Sequence, residues 1–392
     1  MRIVIASTLR PYNEARLYDR QAVHWAERGN EVHIISRHLG EKLGELPPRI
    51  RVTRLESNLR GWPRRLFLGW QAKRRVEAIQ PEVVHYHDPE LHFWLPRLSA
   101  KGIKVVYDVR ENFPFLVVHR NRFKVRPISA FFAALFWRLE ARVLRRSFLV
   151  SVTHGLTDIY KALNRPIVTV MNFPSAQRFA PRGPAREPVM ICGGTLNEDR
   201  GLFELVELLA RVKPRVAGAR LLLCGAFAST RLRSAVLARA RHLGVESSMD
   251  VMDRVSHHDY VRSVLPRARL GVYISPPNAQ TNLAFPVRLG EYWATGLPTV
   301  ANDLPEVKRI SDADPFFDVF RYGDMDALQK IAERYLLDYD AARTAGRLAR
   351  QRVEELYNGE VEFAKLHKFY QAELFAHGGV VTAPSRAPGT ME

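Results

Sequence analysis

The sequence predicts an α/β protein built from two parallel-sheet domains. Three observations carry this. Short apolar strands alternate with helical periodicity along most of the chain. The alternation breaks near the middle, in a stretch rich in proline and arginine. And 392 residues are enough to bury two cores.

The first half opens with a strand over Arg2 to Ala6 and a loop containing Pro11 and Asn13. A helix is predicted over Leu17 to Arg28, stopped by Gly29-Asn30, and a second strand over Val32 to Ser36. Such a βαβ unit requires parallel pairing and a right-handed crossover. It lacks G-x-G-x-x-G, which argues against a nicotinamide dinucleotide site. Arg51 to Leu55 continues as a strand, and Trp62 to Ile79 as a basic helix ended by Pro81. Val83 to His85 is a strand leading to His87-Asp88-Pro89-Glu90. Lys104 to Asp108 is another, leading to Arg110-Glu111-Asn112. Open α/β sheets bind ligands at such carboxyl ends, so Asp88 and Glu111 predict a cleft. The alternative for Asp88 is a cap on a helix starting at Pro89. Of His85 and His87, one is expected to point inward as a core residue; a zinc site would need further ligands. His119 to Arg126 is a basic loop. Ile128 to Arg146 is a Phe-rich amphipathic helix that covers the sheet and could also lie on a membrane. Phe148 to Val152 and Ile167 to Met171 complete the strands of this half.

Residues 1–176 therefore form the first domain and Gln177 to Pro188 the linker. The second domain, 189–360, begins with the strand Val189 to Cys192. Gly193-Gly194-Thr195 follows, a turn whose backbone can approach a phosphate closely. Arg200-Gly201 precedes a helix over Leu202 to Val212. Strands at Arg220 to Cys224, Met249 to Met252 and Leu270 to Ile274 alternate with helices at Thr230 to Leu243 and His258 to Leu265. The pair His257-His258 reads as surface. Helices are expected over Asp326 to Tyr335 and over a long run from Tyr339 to about Phe375, with 361–376 crossing back to the first domain. The tail 377–392 has a disordered composition.

The most informative stretch is Thr281 to Asp303, TNLAFPVRLGEYWATGLPTVAND. Pro286 suits a first helical turn, Leu289, Tyr292 and Trp293 form an apolar face, and Gly296 and Pro298 close the helix. Arg288 and Glu291 share a face at its start. A helix N-terminus attracts anions, so an Arg there suits a diphosphate and a Glu one turn on suits a ribose diol. Taken alone, the pair also fits a surface ion pair.

The net charge of +18 is uneven. Residues 1–184 hold 32 Lys and Arg against 15 Asp and Glu, a balance of +17. That half is expected to meet something anionic. Cys192 and Cys224 lie in apolar runs and read as core thiols, which fits a reducing compartment. No signal peptide is evident, and the longest apolar run, near Ile128 to Trp137, is too short to cross a bilayer.

In order along the chain, several blocks resemble family-4 glycosyltransferases of the GT-B fold. NLAFPVRLGEYWATGLPTVANDLPE is similar to that group's P-x-K-x-x-E-Y-x-A-x-G-x-P-V-V block, with Arg288 in the basic position. GGTLNEDRGLFELVELL resembles the first loop and helix of its donor domain. PYNEARLYDRQAVHWAERGNEVHII, VVHYHDPEL and VVYDVRENFP resemble its N-terminal blocks. The resemblance implies two Rossmann-like domains facing across a cleft. It also implies transfer of a sugar from a nucleotide-diphosphate sugar with retained anomeric configuration, without metal or other cofactor. Arg200 and Arg288 would hold the diphosphate, and Glu291 the ribose. Gly193, Gly194 and Thr195 would approach the phosphates or acceptor, with Asn282 and Leu283 near the donor sugar. Arg16, His87, Asp88, Arg110 and Glu111 would face them from the first domain. Two departures stand out. Leu283 occupies a position where many relatives carry an acid, and Arg110 one where many carry a His; a guanidinium cannot act as a base.

The expected protein is thus cytoplasmic and peripheral on the inner membrane face. Its acceptor would be a glycan or a polyprenyl-diphosphate-linked chain, within cell-surface polysaccharide or glycolipid synthesis. One competing reading is a nucleotide-sugar epimerase, which needs carboxylates poised at the donor sugar. The other is a nucleic-acid-binding protein, which needs aromatics interleaved with basic residues on a sheet face or a recognition helix. Neither feature is evident in the chain. Donor base, donor sugar, linkage and oligomeric state are not encoded legibly.

Overall fold

The computed structural model describes residues 1–37, 44–114, 126–179 and 182–375; within the helix at 126–143, side chains are described from residue 130. The basic loop at 119–126 and the tail at 377–392 therefore fall almost entirely outside the described residues. The chain divides into two compact units, one of Met1–Val170 with Phe363 onward, the other of Met171–Glu362.

The first unit is a parallel sheet of β1 (Arg2–Ser7), β2 (Glu31–Arg37), β3 (Ile50–Leu55), β4 (Val83–Tyr86), β5 (Lys104–Val109), β6 (Phe148–Ser151) and β7 (Ile167–Thr169). The spatial order is β3-β2-β1-β4-β5-β6-β7. Val and Ile fill the central strands because a parallel sheet is covered on both faces. Ile3 pairs with Val32 on one side and Val83 on the other, and all three are fully buried. The order reverses between β1 and β4, which puts the switch point at the tips carrying Ser7 and His87.

Helices connect these strands. The predicted helix after β1 is irregular: a wide turn at Tyr18–Ala22 leads into the short α1 (Val23–Glu27). Next come α2 (Gly61–Ile79), α3 (Arg126–Val143) and α4 (His154–Tyr160), the last capped by Thr153, whose side chain accepts from the Leu156 N–H. His85 on the strand Val83–Tyr86 and His87 just past its end are buried together, with ring centroids 5.2 Å apart. The expectation that only one points inward is wrong, because residues two apart on a strand share a face.

The second unit repeats the plan with β8 (Val189–Gly193), β9 (Arg220–Cys224), β10 (Met249–Met252), β11 (Leu270–Tyr273), β12 (Thr299–Asn302) and β13 (Asp318–Phe320). The order β10-β9-β8-β11-β12-β13 again reverses beside the first strand. Its helices are α5 (Leu202–Val212), α6 (Thr230–His242), α7 (Val287–Thr295), α8 (Pro305–Ala313), α9 (Met325–Leu337) and α10 (Tyr339–Glu355); α11 (Gly359–Phe369) begins here and belongs to the first unit from Phe363. Sequence periodicity missed α8 and β13, both short. It also predicted one run from Tyr339 to Phe375, where the structure breaks at Leu356–Asn358. Asn358 makes the break: its Nδ2 donates to the Val353 carbonyl and its Oδ1 accepts from the Val361 N–H, ending one helix and starting the next. The stretch 177–188 is not a bare linker. Phe179 lies in the core, and the Arg182 and Gly183 N–H groups both donate to the Thr295 carbonyl. Cys192 and Cys224 are buried and unpaired.

Residues 363–374 complete the first unit's core. Phe363 meets Trp25 edge-on at 4.8 Å, and the Tyr370 hydroxyl bonds His85 Nδ1 at 2.8 Å. Phe363 and Trp25 are both essentially inaccessible to solvent. Phe363→Ala should therefore cost about 3–5 kcal/mol, the usual loss for emptying a buried aromatic site. Chemical denaturation followed by tryptophan fluorescence should show the first unit's midpoint falling while the second unit's holds.

Candidate functional site

In the second unit the tips of β8, β9 and β11 and the start of α7 converge at the switch point. Gly193 ends β8, and Gly194 turns back with φ +104°. The Gly194 N–H donates to the Cys224 carbonyl at 2.7 Å. A Cβ on Gly194 would collide with the Arg288 guanidinium, and one on Gly225 with the Gly194 backbone. Glycine at both positions is what lets the two loops and Arg288 close together.

Arg288 stands in the first turn of α7, whose N-cap Pro286 supplies no side-chain cap. Its guanidinium lies 5.4 Å over the Tyr260 ring, and its Nε is 3.9 Å from Glu291. Burial alone would lower its pKa, but Tyr260, Tyr292 and Glu291 push it above the ordinary value, so the charge is held firmly. Nε and Nη1 are buried without a hydrogen-bond partner. Unmet buried donors cost on the order of 1–3 kcal/mol each, so this is a cation prepared for an anion. Arg200 has the same character. Its Nη1 donates to the Tyr273 hydroxyl at 3.2 Å, and its Nε is buried without a partner. The two guanidiniums share a neighbourhood, since both act on the Tyr273 and Cys192 side chains.

Gly194, Thr195, Gly225, His257, Arg288 and Glu291 line a cavity of about 300 Å³. Arg254 adds a further cation to its wall. His257, read from sequence as surface, presents its Nε2 to Glu291 at 3.0 Å while most of the side chain stays exposed. Asn282 and Leu283 do not line this cavity; they sit in the turn Thr281–Leu283, where the Asn282 Oδ1 is buried without a partner.

The first unit brings polar groups together at its own switch point. Asp88 Oδ2 accepts from Ser7 Oγ at 2.6 Å and from the Thr8 and Leu9 N–H groups at 2.7 and 3.1 Å. Asp88 thus does not cap the turn at Pro89; it orders the loop after β1. Asp108, at the end of β5, accepts from Arg16 Nε at 2.9 Å and Gln21 Nε2 at 2.9 Å, with His85 Nε2 at 3.2 Å. Burial would raise the Asp108 pKa, yet Arg16 holds it well below the carboxylate range. Burial pushes His87 well below its ordinary pKa, so it stays neutral. His85, His87 and Asp108 bring possible metal-ligand atoms within 4.8 Å of one another. Arg16 on the carboxylate and Tyr370 on His85 already occupy that donor set, and a guanidinium opposes a second cation there. Arg110 pairs with Glu14 at 2.6 Å, and Glu111 is exposed. Asp88 and Glu111 therefore do not act as a matched pair of tip carboxylates.

These positions now meet known proteins. The Glycosyltransferase Family 4 family matches residues 15–173, and the Glycosyl transferases group 1 family matches residues 187–338. Together the two ranges span well over half of the chain. The chain belongs to the family-4-like glycosyltransferases of the GT-B fold. No curated protein sequence matches it significantly. Among solved structures it is similar to sucrose-phosphate synthase from Thermosynechococcus elongatus, at TM-score 0.70 and 16% identity over 96% of this chain and 100% of that one. It is similar to Anabaena HepE in complex with UDP and glucose, at TM-score 0.70 and 12% identity over 95% and 100%. It is also similar to WaaG, a glycosyltransferase involved in lipopolysaccharide biosynthesis, at TM-score 0.63 and 14% identity over 96% and 100%. At these identities the likeness establishes the fold.

Sequence reasoning about this glycosyltransferase missed Glu14, Arg254 and His257 as site neighbours. Glu14 had a signal: it precedes a helical segment, and its carboxylate accepts from the Arg16 and Leu17 N–H groups at 3.1 and 3.2 Å. Burial would raise its pKa from 4.5, but Arg110 outweighs that and brings it down to about 2. A depressed folded pKa gives stability that is complete above pH 4.5 and is lost as pH falls toward 2. Glu14→Gln should lower stability at pH 7 by on the order of 3 kcal/mol. It should also flatten the loss between pH 4.5 and 2. Denaturant unfolding across a pH series measures both effects.

Proposed function

We propose that this glycosyltransferase moves a sugar from a nucleotide-diphosphate sugar to a glycan or lipid-linked acceptor, with retention and without a metal. The observation that carries the reading is the guanidinium of Arg288 against the Gly194 turn, its Nε and Nη1 buried without a hydrogen-bond partner, with Glu291 one turn along the same helix. Arg288 and Arg200 bind the diphosphate. Glu291, oriented by His257, accepts from the ribose hydroxyls. The first-turn N–H groups of α7 add a favourable dipole.

The chemistry follows from charge. The bond between the anomeric carbon and the diphosphate oxygen breaks, and negative charge grows on the leaving group. The two guanidiniums, already oriented and partly buried, stabilise that charge more than they stabilise the ground state. The acceptor hydroxyl attacks from the same face, and its proton passes to the departing diphosphate oxygen. No protein nucleophile is required. Arg110, a permanent cation fixed by Glu14, serves as a donor toward oxygen rather than as a base. Ser7, Thr8 and Leu9, ordered by Asp88, form the acceptor-side loop. Arg16 and neutral His87 hold that tip in place. Asn282 is the candidate reader of the donor sugar, since Leu283 offers no polar group. A nucleotide-sugar epimerase gains nothing from this set, because it would need carboxylates at the donor sugar.

We further propose a cytoplasmic enzyme seated on an anionic membrane surface through its first unit, within cell-surface polysaccharide or glycolipid synthesis. No helix among the described residues is long and apolar enough to cross a membrane. The support is α2. Trp62, Leu66 and Trp70 recur every fourth residue and are exposed, with Arg65 over Trp62 at 5.3 Å and Arg74 over Trp70 at 5.1 Å. An aromatic stripe bordered by arginines suits the boundary between headgroups and acyl chains.

Two measurements test these readings. In a thermal-shift screen of UDP-, GDP- and ADP-sugars, one family should raise the unfolding temperature, and Arg288→Ala should abolish the shift; a mutant that still responds removes Arg288 from the donor site. In liposome flotation, the protein should rise with anionic vesicles and stay down with neutral ones; equal binding to both defeats the membrane reading.

A further inference from the structure

The first unit carries a second cationic concavity, away from the strand tips. The turns Pro96–Lys101 and Leu144–Arg146 lead into the amino ends of β5 and β6. With the turn Pro89–Phe93 and the end of α3 they line a cavity of about 440 Å³. Arg97, Arg142, Arg145 and Arg146 are in its wall, beside Phe93 and Val143. Among the described residues, no carboxylate lies within ion-pair distance of any of the four guanidiniums. Glu140, one turn earlier on α3, is buried and engaged by His92 at 3.2 Å and Tyr160 at 3.0 Å. Arg97 donates to the Phe93 carbonyl, and that bond carries no charge to offset its own.

Four cations around one concavity repel one another unless an anion joins them. Guanidinium forks match the oxygens of a phosphate, and several can share one. Beside the cavity, α3 exposes Phe131, Leu135 and Leu139. At 3.6 residues per turn these three and Arg142 fall within a sector of about 80°. An apolar stripe thus runs along one helix face into the arginine cavity.

We propose that this cavity binds the phosphate headgroup of an anionic membrane lipid, with the lipid's chains lying along Phe131, Leu135 and Leu139. The stripe commits the site to a lipid rather than to a soluble phosphate. The inference rests on the reading of the first unit as membrane-facing, and assigns that contact a stoichiometric site distinct from the Trp62–Trp70 stripe.

The test uses the intact chain and a monomeric probe, dihexanoyl phosphatidic acid below its micelle-forming concentration, followed by titration calorimetry. The wild type should bind it in a saturable manner. The combined variant Arg142→Ala, Arg145→Ala, Arg146→Ala should weaken binding by about tenfold or more, while Arg60→Ala, Arg74→Ala, Arg75→Ala, which removes equal charge from α2 and the residue before it, should change it by about twofold or less. Circular dichroism and the unfolding midpoint confirm that both variants fold. Glycerol 3-phosphate should bind about tenfold more weakly than the lipid, because it has no chains to bury. Equal losses in the two variants would mean bulk charge and overturn the site. Glycerol 3-phosphate binding as tightly as the lipid would reassign the cavity to a soluble phosphate. Flotation on anionic vesicles without monomer binding would overturn the cavity and leave the membrane reading standing; no flotation at all would sink that reading itself.

Discussion

The cavity beside the Gly194 turn depends on holding one guanidinium in place with buried donors left unmet. Arg288 is placed by α7 against a turn with no side chain, so nothing but backbone and aromatic rings surrounds much of its charge. Desolvating a cation is expensive, but Tyr260, Tyr292 and Glu291 outweigh that cost and keep the charge in place. Glu291 at 3.9 Å is a loose ion pair, and the Tyr260 ring gives a weak cation–π contact. What is left unmet is directional: buried N–H donors at a switch point between parallel strands. The glycines are fixed by a separate cause: a Cβ at Gly194 would collide with the Arg288 guanidinium, and one at Gly225 with the Gly194 backbone.

The first unit solves the opposite problem. Three carboxylates at its strand tips and in the loop after β1 are engaged in place. Asp88 is taken up by the loop after β1, Asp108 by Arg16 and Gln21, and Glu14 by Arg110. The result is a rigid, hydrogen-bonded tip whose charges are committed to holding loops. Pre-organisation of this kind reduces the ordering cost of binding. It leaves Arg110 as a permanently charged group whose position is set by a neighbouring acid.

The strand-and-helix alternation was legible because parallel strands covered on both faces read as short apolar runs, of which β1 is the clearest. Arg288 and Glu291 were legible for a local reason: they lie three residues apart on one helix, within four consecutive positions. The links of Glu14 and His257 were not, because they run to Arg110 and Glu291, 96 and 34 positions distant, and no periodicity reports such contacts. The break at Asn358 was obscured because the residues on either side keep helical spacing, and only the side-chain bonds of one asparagine end the helix. The misassigned histidines show the converse: a two-residue spacing was visible, but its geometric meaning, a shared face, is what decides burial.

The return of residues 363–374 to the first unit has a consequence in time. A ribosome delivers the chain from its amino end, and domains fold largely as units in that order. The seven strands of the first unit emerge early, but Phe363, Leu366 and Tyr370, which close over Trp25 and His85, come last. Residues 171–362 can form their own sheet before that closure is available. The first unit to be synthesised is therefore the last to be finished, and until then its sheet presents an apolar face to the cell.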